Sequence, residues 1–283
     1  MKNFFPFRTD LALEAADTGD NKLPEGVFVE EETAGAVTVT TVRIDTPAAA
    51  ERLQRPIGKY ITIEGDLSLC SAQMTNILTE NLSEMLPPGS ALVVGLGNRD
   101  ITPDIVGVSA AESVMATRHL PKAEMKAVGL GDLREVCVLA PGVMGQTGLE
   151  VCDIVRSVAR DNKFDFVIAI DSLAARSANR LGRTIQLSNV GISPGSGVLN
   201  DRAEISKSSL GIPVFSLGIP TVVDAATLIY DLCPDCGGIT QNMMVTPRGI
   251  DKIAKQGANI ISKALNRALQ PQLSHDDIDL LLS

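Results

Sequence analysis

The chain has 283 residues, 45% of them hydrophobic, with a net charge of −9 and a pI near 4.8. That size and apolar content suit one large α/β domain or two small ones. The acidic balance argues against direct nucleic-acid binding, which needs a basic surface to neutralise phosphates. Only 3% of residues are aromatic and none is Trp, so the core must be aliphatic. No run approaches the ~18 apolar residues of a membrane span. Phe4-Phe5-Pro6-Phe7 is too short for the apolar core of a secretory leader. A cytoplasmic, reducing setting is expected, with Cys70, Cys137 and Cys152 as buried thiols.

Residues 1–26 are polar and broken by Gly19, Pro24 and Gly26, and read as an extended arm. Residues 27–29, 37–44 and 60–64 are rich in β-branched residues and read as antiparallel strands. They make the segment 27–66 a β-rich side sheet packed on the core. Met74, Ile77, Leu78, Leu82 and Met85 recur at helical spacing over 71–86, and Pro87-Pro88-Gly89 ends that helix. From Ala91 the rhythm changes. Apolar runs at 91–95, 136–139 and 166–170 predict buried strands, each followed by a helix near 107–119, 148–160 and 172–180. Strands at 184–187 and 213–217 follow, then a long helix over 249–269. Such alternation implies a mainly parallel twisted sheet with helices on both faces, residues 27–283 forming a single α/β domain.

Two aspartates follow buried strands: Asp104, in Thr102-Pro103-Asp104, and Asp171, directly after Phe166-Val167-Ile168-Ala169-Ile170. Ligands in open α/β sheets bind at the carboxyl ends of strands. Two carboxyls meeting there can share a proton and run acid and base chemistry together. The bland alternative for each is a helix cap or a salt bridge. Gly95-Leu96-Gly97-Asn98 starts like a dinucleotide fingerprint, but position 100, where the third glycine belongs, is Asp100, whose charge would repel a pyrophosphate. Ser196 lies between Gly195 and Gly197 without the spacing of a nucleophile elbow, and the only histidines are His119 and His275. Serine and cysteine catalysis therefore lack a base. Cys233-Pro234-Asp235-Cys236 is half of a zinc site at most and reads as a reduced surface turn.

The blocks Arg8-Thr9-Asp10-Leu11-Ala12, Gly95-Leu96-Gly97-Asn98, Thr102-Pro103-Asp104 and 140–148 stand in order, followed by 169–177, Pro194-Gly195-Ser196-Gly197-Val198 and 218–225. This series resembles the germination proteases of spore-forming bacteria. The resemblance implies an atypical aspartic endopeptidase that degrades small acid-soluble spore proteins, with Asp104 and Asp171 as its catalytic pair. It also implies a fold similar to the hydrogenase maturation proteases, a location in the spore core, a homo-oligomer (a tetramer in the family) and a zymogen whose short propeptide would be residues 1–7. Asn98, Gly145, Gln146, Arg176, Ser196 and Arg202 are the expected substrate-binding residues, the arginines because guanidinium pairs with carboxylate. Surface salt bridges explain those two arginines equally well. No cofactor or metal is expected. The rival readings are a divalent-metal-dependent protease on the same fold, and an inactive relative that binds the same proteins. A long insertion typical of the family is missing between Ala225 and Met244.

Overall fold

The computed structural model describes residues 9–16, 23–127, 130–131, 133–195, 202–233 and 243–281. The amino-terminal segment carries a short helix, α1 (Ala12–Ala16). The β-branched stretch that follows forms a hairpin of β1 (Val27–Ala34) and β2 (Val37–Ile44), closed by Gly35 at φ +57°. Helix α2 (Pro47–Leu53) starts from Thr46, whose hydroxyl accepts the Ala49 N–H, with proline at the first turn. Strand β3 (Gly58–Glu64), helix α3 (Ser71–Met85) and β4 (Ala91–Gly95) come next. A 3-10 turn at Thr102–Asp104 leads into α4 (Val106–Glu112) and α5 (Lys122–Ala127). Then follow β5 (Val136–Leu139), α6 (Met144–Thr147), α7 (Val151–Asn162), β6 (Phe166–Ala175) and β7 (Thr184–Ser188). The chain closes with α8 (Lys207–Leu210), β8 (Val214–Asp224), α9 (Ala225–Leu232), β9 (Met244–Val245), α10 (Ile250–Leu269) and α11 (His275–Leu281).

The nine strands of the described residues form one sheet in the order β1-β2-β3-β7-β8-β6-β4-β5, with β9 on β8. Strands β5, β4, β6 and β8 run parallel, whereas β7, β3, β2 and β1 continue antiparallel. The α/β class is as expected, but the segment 27–66 is no separate side sheet. It joins the parallel strands edge to edge, through β3 on β7. Strand alternation divides the core. Ile168 and Ile170 of β6 face α3, α4 and α10 in one apolar cluster, while Val167 and Ala169 face α7 in another. Met74, Leu78 and Leu82 of α3 are fully buried in the first, each contributing ~1.5–3 kcal/mol.

Several expected boundaries move for identifiable reasons. Helix α4 stops at Glu112 because Asn266 of α10 captures the next residues, accepting the Met115 N–H and donating to the Ser113 carbonyl. Residues 172–175 are strand, not helix: β8 is long enough to pair with β6 as far as Ala175. The expected extended arm is, over 9–16, docked on the body with Leu11, Ala12 and Ala16 buried. Residues 1–7 lie outside the described residues. Cys70, Cys137 and Cys152 are free, only Cys152 fully buried, whereas Cys233 is disulfide-bonded and not the reduced thiol expected.

Candidate active site

Asp171 lies inside β6 rather than past its end. Gly95, the last residue of β4, pairs with Ile170, so Asp171 is the first residue of β6 beyond that strand. On its other side it pairs with Gly218 of β8, which pairs with Gln186 of β7. Gly218 has no room for a side chain: a Cβ would come within 2.6 Å of the Leu173 side chain and 2.7 Å of the Asp171 carbonyl. The Asp171 side chain is only 6% exposed, and its Oδ1 accepts the Ser172 N–H at 2.8 Å. Burial pushes its pKa well above the carboxylate range, the charge of Asp104 adds to the rise, and Asp10 adds further. The Ser172 N–H and the Arg202 guanidinium pull the other way.

Asp104 arrives on the turn after β4. Leu96 donates to the Ile170 carbonyl at 2.8 Å, stitching the start of that turn to β6. Gly97 then adopts φ +113°, and a Cβ there would sit 2.0 Å from the Asp104 carbonyl, so only glycine lets the two chain segments pass. The Asn98 N–H donates to Asp104 Oδ2 at 2.8 Å, and Asp104 N–H closes the turn on the Ile101 carbonyl. Gly107 allows the following helix to approach β6, with a Cβ position 2.2 Å from the Ile170 carbonyl. Asp104 is half-buried. Burial raises its pKa, opposed by the Asn98 N–H and by Arg202.

The other expected residues divide. Asn98 supports Asp104 through its backbone, and its side-chain Oδ1 accepts from Asp100 N–H and from Gln146 Nε2 at 3.1 Å. That bond brings the 141–148 loop to the Asp104 turn. Gly145 borders open space. Arg202 is close enough to act on both carboxyls. Arg176 lies past the end of β6, five residues from Asp171, or about 16 Å along an extended strand, and its backbone N–H donates to Glu14. It is therefore separate from the pair. Ser196 lies outside the described residues.

Two neighbours of the pair escaped sequence reasoning. Asp10 binds the far end of β6 in strand fashion: its N–H donates to the Ala174 carbonyl, and its carboxylate accepts the Ala174 N–H at 2.7 Å. Gln186 holds the same segment, accepting the Ala12 N–H at 2.7 Å and donating to the Asp10 carbonyl at 3.0 Å. A polar residue between Ile185 and Leu187 in a predicted strand was the available signal for Gln186. A cavity of about 140 Å³ opens beside them, lined by Asp10, Arg55, Gln186, Ser216 and Gly218 among others.

A carboxyl pair within reach of each other's charge is able to divide one proton between its members, which is what acid and base chemistry on two carboxyls requires. Among the described residues, no group of three or more His, Cys, Asp or Glu is placed to hold a metal ion. No helix of the described residues is long and apolar enough to cross a membrane.

Over residues 9–234 the chain matches the model of a family described as germination protease. A germination protease of Caldanaerobacter subterraneus subsp. tengcongensis is 38% identical over 319 aligned positions, covering 97% of this chain and 98% of its own. One from Clostridium perfringens (strain SM101) is 38% identical, covering 98% and 99%. One from Bacillus velezensis is 43% identical over 81% of this chain and 66% of its own. An alignment of 319 positions exceeds the 283 residues of this chain, so the first relative carries residues absent here. Among solved structures, a [NiFe] hydrogenase maturation protease from Thermococcus kodakarensis aligns with 65% of this chain and 98% of its own, at 16% identity and a TM-score of 0.37.

Proposed function

Because the chain belongs to the germination protease family, a peptidase family of spore germination, we propose that it is an endopeptidase hydrolysing peptide bonds with the carboxyl pair Asp104 and Asp171. The observation that carries this reading is the burial of Asp171 on the first rung beyond β4, within reach of the charge of Asp104.

In this mechanism the scissile peptide lies against the pair with one water molecule. The ionised carboxyl takes a proton from the water, whose oxygen attacks the carbonyl carbon. The protonated carboxyl then donates to the leaving amine, and no covalent acyl-enzyme forms. The two carboxyls divide these roles as a coupled pair, one as base and the other as acid. Asn98, Gln146 and the 141–148 loop border the peptide on the Asp104 side. Arg202 opposes the rise of both pKa values. Arg176, past the end of β6, is assigned to more distant residues of the substrate, and Ser196 to the same cleft from its glycine-flanked motif.

The substrates in this reading are the small acid-soluble proteins of the spore core, cut as proteins, with no contact to nucleic acid or membrane. The enzyme is a homo-oligomeric aspartic-type endopeptidase made as a zymogen. Resemblance supports these finer points, and the net charge of −9 agrees with a protein that does not itself bind DNA. The test is incubation with a purified small acid-soluble spore protein, followed by mass spectrometry of the fragments. A small set of defined cuts that survives EDTA is expected. Activity lost to EDTA and restored by one divalent ion would replace the carboxyl pair with a metal mechanism.

A further inference from the structure

Strands β6 and β8 fall out of step by one residue beside the active site. Leu173 pairs with Pro220, but the next residue, Ala174, pairs with Val222. Thr221 is therefore the extra residue of a β-bulge. Bulges bend a strand locally and re-aim a side chain that regular pairing would have fixed. Thr221 is 1% exposed, and its hydroxyl donates to the Pro103 carbonyl at 2.7 Å. Pro103 directly precedes Asp104 in the 3-10 turn. The Thr221 carbonyl in turn accepts the Thr246 hydroxyl at 2.9 Å, just after β9, which pins the bulge itself.

Strand order gives this bond its meaning. The turn leaves β4, on one side of β6, and Thr221 belongs to β8, on the other. The Leu96–Ile170 bond and the Asn98 N–H secure the turn from the β4 side. The Thr221 hydroxyl secures it from the β8 side, across the strand that carries Asp171. A turn of three residues has little stiffness of its own, so anchoring from both sides fixes where Asp104 stands.

We propose that Thr221 is a positioning residue of the carboxyl pair: the β8 bulge aims its hydroxyl at the Asp104 turn and so holds Asp104 in place beside Asp171. This rests on the two-aspartate reading. Thr221 touches no substrate in this role, so its loss lowers the rate of the chemical step and leaves binding alone.

The experiment uses the full chain with a small acid-soluble spore protein as substrate, and compares Thr221→Val, Thr221→Ala and Thr221→Ser. The first two remove the hydroxyl and the third keeps it. The valine and alanine variants are expected to lose about 10–100-fold in kcat, the usual cost of misplacing a reacting group by an ångström or less. Their KM should stay within about twofold, because uniform binding is untouched. The limbs of their pH–rate profiles should move, since the coupling of the carboxyls depends on their separation. Serine should restore most of kcat and the original profile. Should the valine variant fail to fold, alanine against serine makes the same comparison. Wild-type kcat and profile without the hydroxyl would overturn the proposal, and so would a serine variant as slow as alanine, which would show that the methyl group matters instead. Asp104→Asn and Asp171→Asn run in the same assay: if they keep full activity, the premise of the pair fails, an outcome distinct from a silent Thr221.

Discussion

Asp171 sits within a ten-residue strand, with β8 paired along its side, whereas Asp104 rides on a three-residue turn between β4 and α4. The strand positions Asp171 through its own ladder, and residues on either side are buried in two apolar clusters. The turn has no ladder. Asp104 depends on a backbone N–H from Asn98, on the space left by Gly97, and on the Thr221 hydroxyl. The two acids are therefore vulnerable to different changes. The strand ladder fixes where Asp171 stands, whereas the place of Asp104 depends on single atoms in neighbouring segments. Burial follows the same contrast: the strand-borne acid is the more deeply enclosed, and its pKa is raised further.

The largest effects should fall equally on the two acids. Asp104→Asn and Asp171→Asn are each expected to lower kcat by about 10³-fold or more, in the range for removing a general acid or base. Fragment analysis of a small acid-soluble protein checks this. A large loss for one and a small loss for the other would show that only one of the two takes part in the chemical step.

Gly97→Ala should come next and should act on the turn that carries Asp104. With φ at +113° and the Asp104 carbonyl 2.0 Å from the new Cβ, the backbone must shift, costing about 3 kcal/mol or more. Chemical denaturation would show the loss, and activity should fall even where the protein remains folded. Gly145→Ala, which meets nothing within 4 Å, is the matched control and should change stability by under about 0.5 kcal/mol.

The stability of Asp171→Asn sharpens the contrast further. The folded pKa of Asp171 is raised from 3.8. Below the unfolded value the carboxyl is neutral in both states and costs nothing. As pH climbs towards the folded pKa, the unfolded chain ionises first and the folded state loses stability. Asparagine removes that penalty, so the variant should be more stable than wild type at pH 7, by on the order of 1–2 kcal/mol, with the gain fading towards pH 4. Urea unfolding at both pH values measures it. A variant less stable than wild type at pH 7 would make Asp171 a structural residue.

Much of this was legible locally. Strand β4 is an unbroken apolar run, and all five of its residues are buried. Both aspartates follow such runs. The errors share a cause. Ser172, Leu173, Ala174 and Ala175 read as helix because Leu and Ala are strong helix formers, yet β8 offers them a pairing partner more than forty residues away in sequence. The join between β3 and β7 and the docking of Asp10 on Ala174 are likewise contacts between distant segments, which no local pattern encodes. Thr221 stood in a visible motif, but its role depends on a bulge, and a bulge is a property of two strands in register.

The central claim is that Asp104 and Asp171 form one coupled pair. Titration of ¹³C-labelled aspartate carboxyls by NMR, in wild type and in Asp104→Asn, tests it most directly. In wild type the Asp171 signal should titrate well above the ordinary carboxylate range. With Asp104 neutral, the repulsive part of that rise disappears and the Asp171 midpoint should fall, while still remaining above 3.8 because burial persists. An Asp171 midpoint that is the same in both proteins would contradict the account, because two carboxyls that do not feel each other's charge cannot share a proton.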